Sequence, residues 1–223
     1  MPFKTPHIEG GQMGRKKTTA TDAAATKLRI IETAESLFRD IGYAKTTVSD
    51  IAKSLGMSQA NVYRYFKTKS SINEAICDRI VHHIESQCLE SLIQDGTSTE
   101  RLSRFILEYH RVVKTSIIKE KKLYDMVSVA MDEHWAVIQS HSDRIVDLLR
   151  IIIDQGVASG EFRSLDSPKM AIVVHEALAH FIYPSLLEHW INDKSINDNQ
   201  NDTEEELRQL LDLILYGLAS GHK

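Results

Sequence analysis

The side chains best suited to meet a nucleic acid fall in one short stretch of this 223-residue chain. Gln59, Asn61 and Arg64 sit close together in a segment with helical spacing. Gln and Asn amides can pair with adenine in the major groove, and an Arg guanidinium with guanine. Tyr63, Tyr65, Lys67 and Lys69 add hydroxyls and ammonium groups suited to phosphates, which set affinity and register rather than sequence preference. Ser58 precedes them as a natural N-cap and leaves helix amides free to face a phosphate.

The ten histidines raise a second chemistry, metal binding or acid–base catalysis, and their spacing argues against it. His175 and His180 are five apart, so on a regular helix their rings diverge by about 140° and cannot share one metal. His82 and His83 are adjacent and diverge. His134 and His141 share a face only on an unbroken helix, and then lie about 10 Å apart. No paired Glu-x-x-His set is present. The reading is a protein that is not an enzyme, with no cofactor, no metal site and structural or surface histidines.

The elements that must position the basic stretch are legible on either side of it. Ile30, Ile31, Ala34, Leu37, Phe38 and Ile41 form one stripe of a helix that Gly42 stops. Thr47 and Asp50 are spaced as an N-cap and its acidic third residue. Val48, Ile51, Ala52 and Leu55 then make the inner face of a short helix ending at Gly56. From Ser58 a third helix turns Val62 and Phe66 inward. A short helix, a glycine-containing turn and a second short helix is the spacing of a helix-turn-helix, whose second helix enters the major groove. Such a turn needs a permissive residue (Gly56), a plug between the helices (Met57) and a small residue where they cross (Ala52). A polar-faced hairpin within a helical bundle is the alternative. The coincidence of turn, caps, small residue and basic outer face weighs against it.

The run Ile30-Ile31-x-x-Ala34-x-x-Leu37-Phe38-x-x-x-Gly42-Tyr43-x-x-Thr46-Thr47-Val48-x-x-Ile51-Ala52-x-x-Leu55-Gly56-Met57-Ser58-x-x-x-Val62-Tyr63-x-Tyr65-Phe66-x-x-Lys69 resembles the TetR (tetracycline-repressor) family without a gap. The resemblance implies phosphate contacts at Thr47, Tyr63 and Lys69, and base-reading positions at Gln59, Ala60, Asn61 and Arg64. Tyr65 stands where many members carry His. Further implications are a homodimer on a palindromic operator in double-stranded DNA, and a repressor released by a small-molecule effector. In this family the last two helices usually pair between protomers.

Charge divides the chain the same way. Residues 1–70 carry 12 Lys+Arg and 6 Asp+Glu; residues 71–223 carry 15 and 25, so ends of +6 and −10 underlie the net −4. A basic end that meets a polyanion and an acidic body that does not is the natural reading. The expected domains are a flexible basic arm over 1–25, a helix-turn-helix domain over 26–70 and an effector-binding and dimerisation domain over 71–223. Arg15, Lys16 and Lys17 in the arm can reach a minor groove or flanking phosphates. No sheet is called for, so the fold class is all-α. Helices are expected from Lys27, over Ser70–Gln94, Thr99–Thr115, Lys121–Asp132 and Glu133–Ser159, and from Ser167 to about Trp190 with a restart near Pro184. Asn192–Asp202 reads as a loop before a last helix from Thr203 to Gly221. Ile172, Val173, Leu178, Phe181 and Ile182 on the one terminal helix, and Leu207, Leu210, Leu211, Ile214, Leu215 and Leu218 on the other, are wider than one core face needs.

No apolar run approaches the roughly 20 residues of a membrane span, and the first thirty residues carry no secretory h-region. A bacterial cytoplasmic protein, on the nucleoid when bound, is expected. Cys77 and Cys88 read as buried, unbridged thiols. Phe105, Tyr109, Met126, Met131, His134 and Trp135 lie on helices that the family uses to line its cavity. Plain core packing explains such residues as well, and no ligand contact is assigned.

Overall fold

The computed structural model describes residues 20–118, 120–133, 136–192 and 203–221. They form α1 (Ala20–Ile41), α2 (Val48–Ser54), α3 (Gln59–Tyr65), α4 (Lys69–Glu90), α5 (Ser98–Val113), a π-helical turn (Lys114–Ile118), α6 (Lys121–Asp132), α7 (Ala136–Ser159), α8 (Ser167–Ala177), α9 (Ala179–Ile182), α10 (Pro184–Asn192) and α11 (Thr203–Leu218). Among the described residues the only pairing of strand type is an isolated bridge between Phe162 and Ala219. The chain is all-α.

Two hydrophobic cores divide it. The first gathers Ile30, Ala34 and Phe38 of α1, Ile51 and Ala52 of α2, Val62 of α3, Phe66, and Ile72 and Ile76 of α4. Leu123 and Met126 of α6 enter the same core at 2% and 0% exposure, so α6 ties the N-terminal helices to the body. Burying each such side chain is worth about 1.5–3 kcal/mol. Asn73 of α4 adds a hydrogen bond from Nδ2 to the Met126 carbonyl at 3.3 Å. The second core fills the body, with Phe105, Ile106, Leu149 and Ile153 among its fully enclosed side chains.

Several boundaries differ from expectation for local reasons. α1 begins at Ala20, so residues 20–25 of the expected arm are helical; residues 1–19, with Arg15, Lys16 and Lys17, lie outside the described residues. An alanine run lacks an apolar stripe yet has the highest helix propensity, and Asp22 suits the positive helix end. α4 stops at Glu90 rather than Gln94. Arg104 donates to the carbonyls of Ser91 (3.3 Å) and Gln94 (2.8 Å), holding the segment after the helix in a non-helical path. The helix expected over Thr99–Thr115 starts one residue earlier, capped by Thr97, and passes into the π turn after Val113. α7 begins at Ala136; His134 and Trp135 lie outside the described residues.

The terminal helix expected from Ser167 to Trp190 is three helices. Asp166 is its N-cap, accepting from the Lys169 amide at 3.2 Å. The first break, at Leu178, comes before Pro184. His110 bonds the Phe181 carbonyl through Nδ1 at 2.8 Å, satisfying an acceptor near the broken ladder. Pro184 then opens α10, where its missing N–H costs nothing. The loop expected over Asn192–Asp202 lies almost wholly outside the described residues. α11 ends at Leu218 rather than Gly221, because the Leu218 carbonyl accepts from the Arg163 amide at 2.9 Å.

Candidate nucleic-acid interface

The α2–α3 pair is built by caps at each entrance. Thr47 Oγ1 accepts from the Asp50 amide at 3.2 Å, and Asp50 Oδ2 accepts from the Thr47 amide at 2.8 Å and the Thr47 hydroxyl at 2.6 Å. The Thr47 hydroxyl bond, followed by the backbone one, holds the Asp50 carboxyl below its ordinary pKa. Gly56 takes φ +64° at the end of α2, a left-handed conformation that a side chain disfavours. The Met57 amide reaches back to the Ala52 carbonyl at 3.0 Å, and Ala52 is 2% exposed where the helices meet. Ser58 caps α3 by accepting from the Asn61 amide at 3.2 Å. Val62 and Phe66 anchor α3 in the N-terminal core.

With that inner face fixed, Ser58, Gln59, Ala60, Tyr63, Arg64 and Lys67 are exposed, as is Thr47 at the start of α2. Asn61, Tyr65 and Lys69 are only half-exposed, each for a visible reason. Asn61 Nδ2 lies 3.5 Å from Met57 Sδ, and Arg64 Nη1 lies 3.5 Å from Asn61 Oδ1. Tyr65 packs on the N-terminal core. Lys69 Nζ donates to the carbonyls of Tyr43 (2.9 Å) and Thr46 (3.1 Å) and sits 4.3 Å above the Tyr43 ring. Its ammonium therefore braces the turn between α1 and α2 with two of three donors and has one left over.

Sequence reading missed this brace, because carbonyl partners 23 and 26 residues away leave no local signal. Lys45 and Lys53 lie on the same end of the molecule. Both are exposed around α2. Thr68 caps α4 by accepting from the Ser71 amide at 3.0 Å.

The histidines separate into different settings. His175 is on α8 and His180 on α9, so no single helix carries the pair. His141 is 7% exposed and joins a buried chain: its Nδ1 bonds Glu85 at 2.7 Å, its Nε2 meets the Tyr109 hydroxyl at 3.1 Å, and Arg144 Nε donates to Glu85 at 2.8 Å. Burial opposes charge on Glu85, but its bonds to His141 and Arg144 prevail and hold its pKa low. Among the described residues no three His, Cys, Asp or Glu side chains are grouped to hold a metal. Cys77 and Cys88 are buried, and desolvation pushes both thiols up to about 12.

Tyr109 and His141 border an apolar void of about 30 Å³ with Met131, Ile138 and Tyr183. That holds a water or two, not a drug-sized molecule. Of the other cavity-helix residues, Phe105 is enclosed in the body core and Met126 in the N-terminal core. On the outside of the body, Ile172 (48%), Val173 (55%), Leu213 (68%) and Tyr216 (64%) are exposed, while Leu178, Leu207, Leu211 and Leu218 are buried. No helix among the described residues is long and apolar enough to cross a membrane.

Comparison with known proteins agrees with this architecture. Residues 30–76 match the family model of bacterial regulatory proteins of the tetR family, and residues 98–201 match the tetracyclin repressor-like C-terminal domain. The HTH-type transcriptional regulator TtgR of Pseudomonas putida is 25% identical over 210 residues, covering 89% of this chain and 95% of that one. IcaR of Staphylococcus aureus, a negative transcriptional regulator of a biofilm operon, is 31% identical over 83 residues, 37% of this chain and 45% of its own. A TetR-family regulator from Pectobacterium atrosepticum has the same fold, with a TM-score of 0.66 and 17% identity over 92% of this chain and 100% of its own. The helix-turn-helix, the helical body behind it and these matches together make the chain a member of the TetR family of DNA-binding transcriptional regulators.

Proposed function

We propose that the protein is a homodimeric repressor that binds a palindromic operator and leaves it when a small molecule occupies the body. The observation that carries the reading is the exposed row Gln59, Ala60, Tyr63 and Arg64 on a helix whose opposite face is locked by Val62 and Phe66. In this reading Gln59 and Arg64 contact base edges, Ala60 meets a thymine methyl, and Asn61 joins them by exchanging its long contact to Met57 for a base. Tyr63, Lys67 and the first-turn amides of α3 that the Ser58 cap leaves free hold phosphates. Thr47 turns its hydroxyl from Asp50 to a phosphate, Tyr65 lies at the edge of the same contact, and Lys69 offers its remaining donor.

A two-domain division near residue 70, with a basic arm ahead of α1, goes with these roles. Val173 of α8, with Leu213 and Tyr216 of α11, forms the dimer contact, which spaces two recognition helices for successive major grooves. α6 carries the effector signal, since Leu123 and Met126 sit in the N-terminal core and Glu120 pairs with Arg39 of α1. An effector that favours a different setting of α6 weakens operator binding, and the operator weakens effector binding by the same factor. No catalytic step is needed. The protein acts in the bacterial cytoplasm, on the nucleoid when bound.

A mobility shift on the DNA upstream of its own gene tests the reading. Specific, salt-sensitive binding of a dimer is expected. A monomer with equal affinity for any sequence would overturn it.

A further inference from the structure

We propose that the effector is an amphiphilic amine, an apolar body with one cationic head, admitted by the groove between α7 and α8. The inference rests on the effector reading above and gives it a ligand class. The groove is open to solvent and offers about 570 Å³. Its floor is apolar, with Met131, Ile138, Val146 and Tyr183. Its rim carries Asp143, Asp147 and Glu176, and none of the described residues lining it is Lys or Arg. Asp147 shares its charge with Arg150 at 3.4 Å, which leaves the rim net acidic. Such a rim steers cations inward and repels carboxylates.

The acids alone would be a solvated edge. The second observation is His175, which lines the same groove, is 6% exposed, and has an Nε2 buried without a hydrogen-bond partner. Burial lowers its pKa and keeps the ring neutral, so Nε2 can accept an ammonium N–H. Unpaired buried polar atoms are uncommon, and this one, shielded from solvent on a residue that lines a groove of ligand size, calls for a donor. Met131, Ile138, Ser142 and Tyr183 line both the groove and the 30 Å³ void beneath it. Tyr183 belongs to the extended link between α9 and α10, and Met131 is unbranched, so both can swing to let an apolar body through. The head stays at His175 and the rim while the body reaches Tyr109 and His141 below.

The test uses the full chain and three probes of matched shape: 4-phenylbutylamine, 4-phenylbutan-1-ol and 4-phenylbutyrate, titrated by calorimetry at pH 7.5 without DNA. The amine should bind at least tenfold tighter than the alcohol, with the carboxylate weakest. The double variant Asp143→Asn/Glu176→Gln, both exposed positions, should reduce the amine's advantage over the alcohol several-fold with an unchanged melting temperature. His175→Leu should weaken the amine more than the alcohol. Equal or tighter binding of 4-phenylbutyrate, an amine advantage that survives loss of the acids, or no binding of any probe would overturn the proposal. Operator release is read separately by mobility shift. An amine that binds but leaves the operator complex intact would keep the site and contradict the effector role.

Discussion

The two ends of this molecule are specified in different ways. The DNA-facing end is made of short helices whose starts, stops and crossing are set by neighbouring residues: Thr47 with Asp50, Gly56, Ser58 with Asn61, Thr68 with Ser71. The body is held by partners far apart in sequence, such as Glu85 with His141, His110 with the Phe181 carbonyl and Lys114 with Thr203. A rigid, locally coded reading head and a body of long-range polar contacts suit a switch. For the proposed effector-released repressor, the head presents one geometry and the body exchanges contacts when the effector enters.

Breaking each core separates the two most strongly. Ile51→Ala removes a fully buried side chain from the small core and should cost about 2–5 kcal/mol. Thermal melting should show the loss, and operator binding should fall with it. Glu85→Ala leaves His141 and the partly exposed Arg144 without their carboxylate, and should cost about 2–3 kcal/mol. Here the body should loosen while the isolated recognition face keeps its sequence preference, as read by competition between operator and random DNA.

Acid should act on the body first. Burial is the leading cause of depressed pKa values at His110 and His175, so the unfolded chain takes up protons near pH 6.5 before the folded chain does. Stability from these two groups is complete above about pH 6.5 and is lost as pH falls toward their lower folded values. Melting temperatures between pH 7.5 and 5.5 should decline, and His110→Gln with His175→Gln should flatten the decline. Glu85 adds a further loss at lower pH, since its depressed pKa contributes stability only while it is ionised.

The smallest effect compares equivalent caps. Ser58→Ala and Thr97→Ala each remove one N-cap bond and should each cost about 1 kcal/mol. Operator affinity should fall for the Ser58 variant alone, because α3 has only seven residues to hold its face in place.

The same contrast explains what the sequence made legible. Caps, glycine stops and the inward pair Val62 and Phe66 lie within a few residues of one another, so the helix-turn-helix could be read directly, and Gln59, Ala60 and Arg64 emerge on its open face. The half-burial of Asn61 was hidden, because it depends on where the Met57 sulfur settles after the turn closes. Lys69 looked like a free phosphate ligand because its two carbonyl acceptors lie across a turn. In the body, hydrophobic spacing found the helices but not the break at Leu178. Nothing within that helix signals that His110, on α5, will take the Phe181 carbonyl.

In the proposed function the outer face of α3 reads bases while the residues around it hold phosphates. The most direct measurement is the ratio of operator to random-sequence affinity for Arg64→Ala and Lys67→Ala, each against the unaltered protein at fixed salt. For Arg64→Ala the ratio should fall by roughly 5- to 150-fold, the equivalent of about 1–3 kcal/mol. For Lys67→Ala both affinities should fall together with the ratio unchanged. A ratio untouched by loss of the Arg64 side chain, together with one reduced by loss of Lys67, would contradict the account.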